Sequence, residues 1–204
     1  VGYLSSVYMT AIALVSDQLL FMKLLVYYIP VLVLILFLHV IITNMKITLK
    51  DIAYTLIGII YVPLFIMFLE LIRCLEHGKV LIGYVFVVSW ATDIFAYIIG
   101  KNFGKHKFSK VSPKKSIEGC VAGLIGSVIV SLLYTWIAIS FWNIEVSYLY
   151  IAIISFILSA ISQVGDFVAS CIKRTVDVKD YSNLLPGHGG LLDRVDSLIF
   201  IAPF

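Results

Sequence analysis

The sequence predicts an all-α integral membrane protein, a polytopic bundle of transmembrane helices with a polar active-site pocket facing the cytoplasm. Three observations predict it. Of 204 residues 61% are hydrophobic and only 13% charged, and the mean hydropathy is +1.05, a composition foreign to soluble domains. The apolar residues fall in runs of about 20, the length that crosses a hydrocarbon core of about 30 Å. The remaining charges gather between the runs, with 12 of the 15 cations on one side.

In chain order, Tyr3 to Met22 is an apolar stretch interrupted by Asp17, a less regular candidate than those that follow. Five spans are expected at Leu24–Thr43, Ile52–Arg73, Val80–Gly100, Ile117–Phe141 and Ser147–Cys171, and another run starts near Leu191 and is cut off at Phe204. The chain begins without methionine and stops within an apolar run, so a piece of a longer protein is expected and its total span number cannot be counted. No basic segment with a small-residue cleavage site marks a removable leader. Residues 1–73 read as a transmembrane scaffold of about three spans. Residues 74–204 read as the catalytic transmembrane region, its last helix truncated.

An even number of spans places Lys46, Lys50, Lys101, Lys105, Lys107, Lys110, Lys114, Lys115, Lys173, Arg174, Lys179 and Arg194 on one side, leaving Lys23, Arg73 and Lys79 for the other. The positive-inside rule makes the basic side cytoplasmic. Cys74, Cys120 and Cys171 form no CxxC pair and read as small buried side chains rather than a disulfide or thiolate site. Carboxylates are costly in lipid. Glu70, three residues before Arg73, is explained by an interfacial ion pair, whereas Asp17 stays open. His39, one turn before Thr43, reads as a satisfied interfacial histidine.

From Val80 the polar residues become informative. Ser89, Asp93, Tyr97 and Gly100 share one helical face, with Asp93 about two turns from the cytoplasmic end. The loop KNFGKHKFSKVSPKKS follows with six lysines. Taken alone it is explained by the positive-inside rule or by contact with anionic headgroups. Ser112 and Pro113 predict the N-cap and first residue of the next helix, with Lys114, Lys115, Ser116 and Glu118 in its first turns, a place that welcomes anions. Gly119, Gly123 and Gly126 let two membrane helices approach closely.

The next span carries Ser155, Ser159, Ser162, Asp166, Ser170 and Lys173 at spacings of three and four, hence on one face. Small-residue packing explains the serines but not the buried aspartate. Three spans thus bring Asp93, Glu118 and Asp166 to one level on the lysine-rich side, and a single polar pocket is expected. Hard carboxylate oxygens suit magnesium, which keeps several waters and bridges to phosphate. Asp166, Asp193 and Asp196 are suitable donors, the last two sharing a face if a helix starts near Leu191. Lys173, Arg174, Lys179 and Arg194 answer phosphate charge. In PGHGG, Gly189 and Gly190 allow close approach of a phosphate and His188 is positioned to contact it. No GxxxxGK[ST] or GxGxxG occurs. The residues alone support a membrane-embedded, metal-assisted phosphoryl or nucleotidyl transfer site open to the cytoplasm.

The run SCIKRTVDVKDYSNLLPGHGGLLDRVD, Ser170 to Asp196, resembles the signature of the phosphatidate cytidylyltransferases, with every signature element present. SWATDIFAYIIGKNFGKHKFSKVSPKKSIEG resembles a second block of that family, and the similarity covers about Leu49 to the end. Ser116 stands where threonine is commoner and Ile117 where an aromatic is commoner. The resemblance implies that CMP passes from CTP to phosphatidic acid, giving CDP-diacylglycerol and pyrophosphate in phospholipid biosynthesis. It implies Asp166 and Asp193 as the metal-binding pair for Mg2+, with a second, monovalent cation such as K+ allowed. Asp166, Asp193, Lys173 and Arg174 would be catalytic. Asp93, Lys114, Lys115, Ser116, Glu118, Ser170, Lys179, Asp180, His188, Gly189, Gly190, Arg194 and Asp196 would contact the substrates. The expected partners are CTP, phosphatidic acid and the bilayer, with no nucleic acid and a homodimer left open. The expected location is a bacterial cell membrane.

Two other functions fit part of the pattern. A CTP-dependent kinase of a polyprenol or phytol-type lipid would move phosphate rather than CMP, and its alcohol acceptor would need a base. A transporter of a phosphorylated metabolite would use the same charges for binding, but no inverted repeat or paired broken helices are visible.

Overall fold

The computed structural model describes residues 2–15, 18–108, 112, 115–142, 144–182 and 189–204. These residues are helical apart from their connections, and five helical stretches are long and apolar enough to cross a membrane: Leu19–Ile42, Leu49–Cys74, Gly78–Phe103, Ile117–Trp142 and Tyr148–Thr175. The protein is an all-α polytopic membrane protein. It divides into two compact units, Val1–Cys74 and Leu75–Phe204.

The first unit contains α1 (Gly2–Ala13), α2 (Gln18–Ile42), α3 (Leu49–Ile59) and α4 (Phe65–Cys74). The Tyr3 to Met22 stretch is not one span. Helix α1 has 12 residues, about 18 Å at 1.5 Å per residue and short of the hydrocarbon core, and Met22 belongs to α2. Asp17 lies outside the described residues. Thr48 starts α3 with a capping box in which its N–H donates to Asp51 Oδ2 at 2.8 Å and the Asp51 N–H donates to its hydroxyl at 3.4 Å. Between α3 and α4 the backbone widens into a π-turn, Ile60–Leu64, around Pro63. Proline has no N–H to give and crowds the carbonyl four residues back, and a wider turn relieves both. Met9, Ile12, Phe21, Leu32, Ile52 and Met67 are among the residues that close the core of this unit. Arg73 meets Glu70 at 3.4 Å, the ion pair their spacing suggested.

The second unit contains α5 (Gly78–Phe103), α6 (Ile117–Trp142), α7 (Tyr148–Thr175) and α8 (Leu192–Ile201). The α6 glycines explain how closely α5 and α6 approach. A Cβ at Gly119 would stand 2.6 Å from the Ala96 carbonyl oxygen, and one at Gly123 would stand 2.9 Å from that of Thr92. Both contacts are below van der Waals distance and both are against backbone, which cannot swing aside. The serine stripe of α7 faces inward: Ser155, Ser159 and Ser162 are buried. The Ser159 hydroxyl shares a 2.7 Å hydrogen bond with Thr92 of α5, and Gln163 Nε2 donates to the Cys120 carbonyl on α6 at 2.9 Å. Without water to compete, such interhelical hydrogen bonds fix register at about 1 kcal/mol each.

The start of α6 departs from the sequence reading. Ser116, rather than Ser112, caps the helix by accepting the Gly119 N–H at 3.1 Å. Lys115 is outside the helix because the chain pairs there with the preceding loop. Lys107 and Ser116 form an antiparallel bridge, closed by the Phe108 N–H on the Lys115 carbonyl at 3.0 Å and the Ile117 N–H on the His106 carbonyl at 2.9 Å. Pro113 and Lys114 lie outside the described residues.

Candidate active site

A cavity of about 500 Å³ opens where α5, α7 and the start of α6 meet. Asp93, Tyr97 and Lys101 line it from α5, Lys115 and Ser116 from the bridge, and Asp166 from α7. Lys115 Nζ donates to Asp166 Oδ2, and the same ammonium lies 4.4 Å from the centre of the Phe167 ring. Phe167 in turn stacks on Phe108 at 4.7 Å, so the bridge is clamped to α7 and Lys115 is held over the carboxylate. Ser197, buried on α8, donates to Asp93 Oδ2 at 3.0 Å and shares a 3.0 Å hydrogen bond with Ser89. With Asp93 ionised, the single Ser197 proton goes to the carboxylate and Ser89 must donate to Ser197. Asp166 acts electrostatically on Asp93 and Asp196, and Asp93 acts on Asp196. Among the described residues only Asp166 of these three has a salt-bridge partner.

The second cluster lies at the C-terminal end of α7. Lys173 Nζ donates to Asp193 Oδ1 at 2.8 Å. Asp193 Oδ2 accepts the N–H groups of Tyr181 and Gly190, each at 2.9 Å. One carboxylate in the first turn of α8 therefore ties two distant points of the signature loop to each other and to α7. Gly189 has φ +79°, and a Cβ there would lie 3.2 Å from Asp193 Oδ2, so glycine answers both a left-handed backbone and a close approach. The Tyr181 ring lies 5.1 Å from Lys173 Nζ and its hydroxyl donates to the Ala169 carbonyl at 3.3 Å. Burial, and then the charges of Asp196 and Asp193, push that hydroxyl up to about 12, which keeps it a donor throughout the neutral range.

The predicted site residues separate into groups. Asp93, Lys115, Ser116 and Asp166 line the cavity, while Asp196 is buried and its Oδ1 accepts the Ser197 N–H at 2.8 Å. Lys173, Asp193, Gly189 and Gly190 belong to the loop clasp. Arg174 Nη1 donates to the Val178 carbonyl at 3.4 Å, and Arg174, Lys179, Asp180 and Arg194 are exposed. Ser170 is half-buried on α7. Glu118 is not among the cavity-lining residues. Its carboxylate meets His106 Nδ1 at 2.6 Å and accepts the His106 N–H at 3.2 Å, holding the bridge loop down. Lys114 and His188 lie outside the described residues. The sequence reading missed His106, Tyr181 and Ser197. Of these only Tyr181 carried a signal, as the one aromatic residue between Lys173 and Asp193.

Fold and site together define a polytopic membrane protein with a charged cavity at membrane depth and a basic, glycine-containing loop beside it. Residues 2–204 match the cytidylyltransferase family, and the chain belongs to that family. It is 36% identical over 174 residues to a phosphatidate cytidylyltransferase of Bacillus subtilis, an alignment covering 84% of this chain and 63% of that protein. It is 40% identical over 166 residues to a phosphatidate cytidylyltransferase of Staphylococcus saprophyticus, covering 81% and 62%. A Staphylococcus aureus protein of the same name is 37% identical over 166 residues, with the same coverage. The chain thus spans under two thirds of the length of these relatives.

Proposed function

We propose that this chain carries the site that transfers CMP from CTP to phosphatidic acid, on the cytoplasmic face of a bacterial cell membrane. The observation that carries the reading is Asp166, paired with Lys115 in the wall of a membrane-level cavity. It stands seven residues before Lys173 on the same helix, about 10 Å along the axis, in a chain whose relatives bear the name of that activity. The orientation rests on the 12 cations that the span count places on one side.

A phosphate oxygen of the lipid attacks the α-phosphorus of CTP. The new P–O bond forms as the α–β anhydride bond breaks, and pyrophosphate leaves with the bonding electron pair. A phosphate monoester is nucleophilic near neutral pH, so no strong base is needed. Lys173, Arg174, Lys179 and Arg194 receive the triphosphate and the leaving pyrophosphate. Magnesium, when bound, neutralises charge developing on the transferred phosphate. Asp166 and Asp193 would hold it, and the donor chemistry fits: each carboxylate already holds a lysine ammonium, a cation standing where another would sit. Among the described residues no three His, Cys, Asp or Glu side chains close around one point, so phosphate and water would complete the shell, as magnesium prefers. Asp193, bonded through both oxygens, would release Lys173 to take part, which would free that ammonium for phosphate. Asp93 and Asp196 would hold a second, monovalent cation.

The test uses CTP labelled separately at the α and γ positions, with the protein in phosphatidic acid micelles. Label from the α position in lipid, with pyrophosphate release requiring both magnesium and phosphatidic acid, is expected. Label from γ would make the protein a lipid kinase, and absence of release would leave transport. Within this reading Ser197 positions Asp93. Ser197→Ala is expected to lower kcat about tenfold, the scale of one lost hydrogen bond to a charged group. Ser197→Thr should retain most activity, and Ser197→Ala should cost nothing further in an Asp93→Asn background. Additive losses in that cycle would contradict the role.

A further inference from the structure

We propose that His106 and Glu118 are positioning residues for CMP transfer: their clasp fixes the bridge between residues 105–108 and 115–118 and thereby seats the Lys115 ammonium on Asp166. The role in turnover rests on the CMP-transfer reading, whereas the seating of Lys115 is a property of the chain alone.

Lys115 needs such a device because no helix holds it. It precedes α6, which starts at Ile117. Its backbone is fixed by its own N–H on the Ser112 carbonyl at 3.1 Å and by the Phe108 N–H on its carbonyl at 3.0 Å, and so short a pairing is marginal by itself. The clasp grips the same bridge at its other end. The His106 carbonyl accepts the Ile117 N–H at 2.9 Å, and the His106 N–H is directed at both Glu118 carboxylate oxygens, at 3.2 and 3.3 Å. The His106 ring adds Nδ1 at 2.6 Å from Glu118 Oε1. An ionised carboxylate only accepts, so Nδ1 carries the hydrogen there whether the ring is neutral or charged. His106 is thus held through its ring, its N–H and its carbonyl by two consecutive residues of α6.

From His106 the path to the cavity is short. Lys107 pairs with Ser116, and Phe108 stacks on Phe167 of α7 at 4.7 Å. The Lys115 ammonium lies 4.4 Å from the centre of that same ring and meets Asp166, the residue before it. The His106 side chain is 74% exposed, so it fills no core. Neither His106 nor Glu118 is among the cavity-lining residues, and both act on the cavity through Lys115.

Asparagine can carry its amide nitrogen where Nδ1 stands, alanine carries none, and aspartate opposes Glu118 with like charge. His106→Asn is therefore expected to keep about half of kcat or more, His106→Ala to lose about fivefold, the scale of an exposed charged pair, and His106→Asp to lose more, with both KM values within about twofold. Glu118→Ala removes every bond of the clasp and should fall below His106→Ala. In a Lys115→Met background His106→Ala should cost nothing further. The seat itself is read without turnover, by acylating the protein with N-hydroxysuccinimidyl acetate and quantifying modified Lys115 by mass spectrometry. An ammonium held by a carboxylate gives up its proton reluctantly and reacts slowly. His106→Ala should raise Lys115 labelling about fivefold and His106→Asn no more than about twofold. Equal kcat across the Asn, Ala and Asp series, additive losses in the Lys115→Met background, or unchanged Lys115 labelling in His106→Ala overturns the assignment. The exposed His106 series decides it even where Glu118→Ala fails to fold. Failure of the CMP-transfer reading is separately visible, as absence of α-label transfer by the unaltered protein, and the labelling series then still reports the seat.

Discussion

Asp166→Asn is expected to lower CMP transfer by about 10³-fold, roughly 4 kcal/mol of transition-state stabilisation, with little change in membrane insertion or thermal stability. The side chain is 27% exposed within the cavity wall, and asparagine preserves its shape. What asparagine removes is charge. The Lys115 ammonium stays over the Phe167 ring, 4.4 Å from its centre, but no longer has a carboxylate to neutralise or to yield to a bound cation. The loss should therefore appear in kcat and persist when magnesium is raised tenfold, because the missing donor cannot be replaced by mass action on a site that lacks it. Asp166→Glu keeps the charge but moves it outward by one methylene and should recover only part of the rate. The measurement is pyrophosphate release at saturating CTP and phosphatidic acid, beside a thermal melt in detergent. Full activity in Asp166→Asn at ordinary magnesium would remove the metal role from this residue.

Much of the architecture was legible because lipid imposes so few solutions. Runs of about 20 apolar residues marked the five spans, and the spacing of Gly119 and Gly123 marked the faces that meet, since a backbone carbonyl is the nearest atom opposite each. Asp93 and Asp166 stood out because an acid at that depth demands a partner. Finer assignments failed where the answer depended on a partner distant in sequence. Glu118 looked like a pocket residue by depth alone. Its actual partner, His106, is twelve residues earlier in a loop of lysines, and the two meet only because Lys107 and Ser116 pair. The same pairing moved the cap of α6 from Ser112 to Ser116, although Ser-Pro is a sound local start signal. Ser197 carried no signal, because a serine beside Asp196 in an apolar helix is unremarkable until α5 is laid against α8.

Asp193→Asn is expected to differ in kind from Asp166→Asn, losing both turnover and loop order. The Lys173 and Asp193 side chains are 13% and 7% exposed, and the carboxylate accepts from Lys173, Tyr181 and Gly190 together. An amide has one acceptor oxygen. Turned to satisfy the two backbone N–H groups, it directs its own NH2 at the Lys173 ammonium; turned the other way, it leaves both N–H groups without a partner. Breaking a buried pair from one side costs about 3–5 kcal/mol, whereas replacing both partners by apolar groups of similar volume is often near neutral. Limited proteolysis at residues 176–182 should therefore accelerate sharply in Asp193→Asn, and Lys173→Met with Asp193→Leu should recover much of the resistance. That double variant has no ammonium for phosphate and no carboxylate for a cation, so CMP transfer should stay below about 10⁻³ of the unaltered rate. An Asp193→Asn protein with undiminished loop resistance would show that the clasp does not order the loop. Recovery of turnover in the double variant would show that the pair serves only the fold.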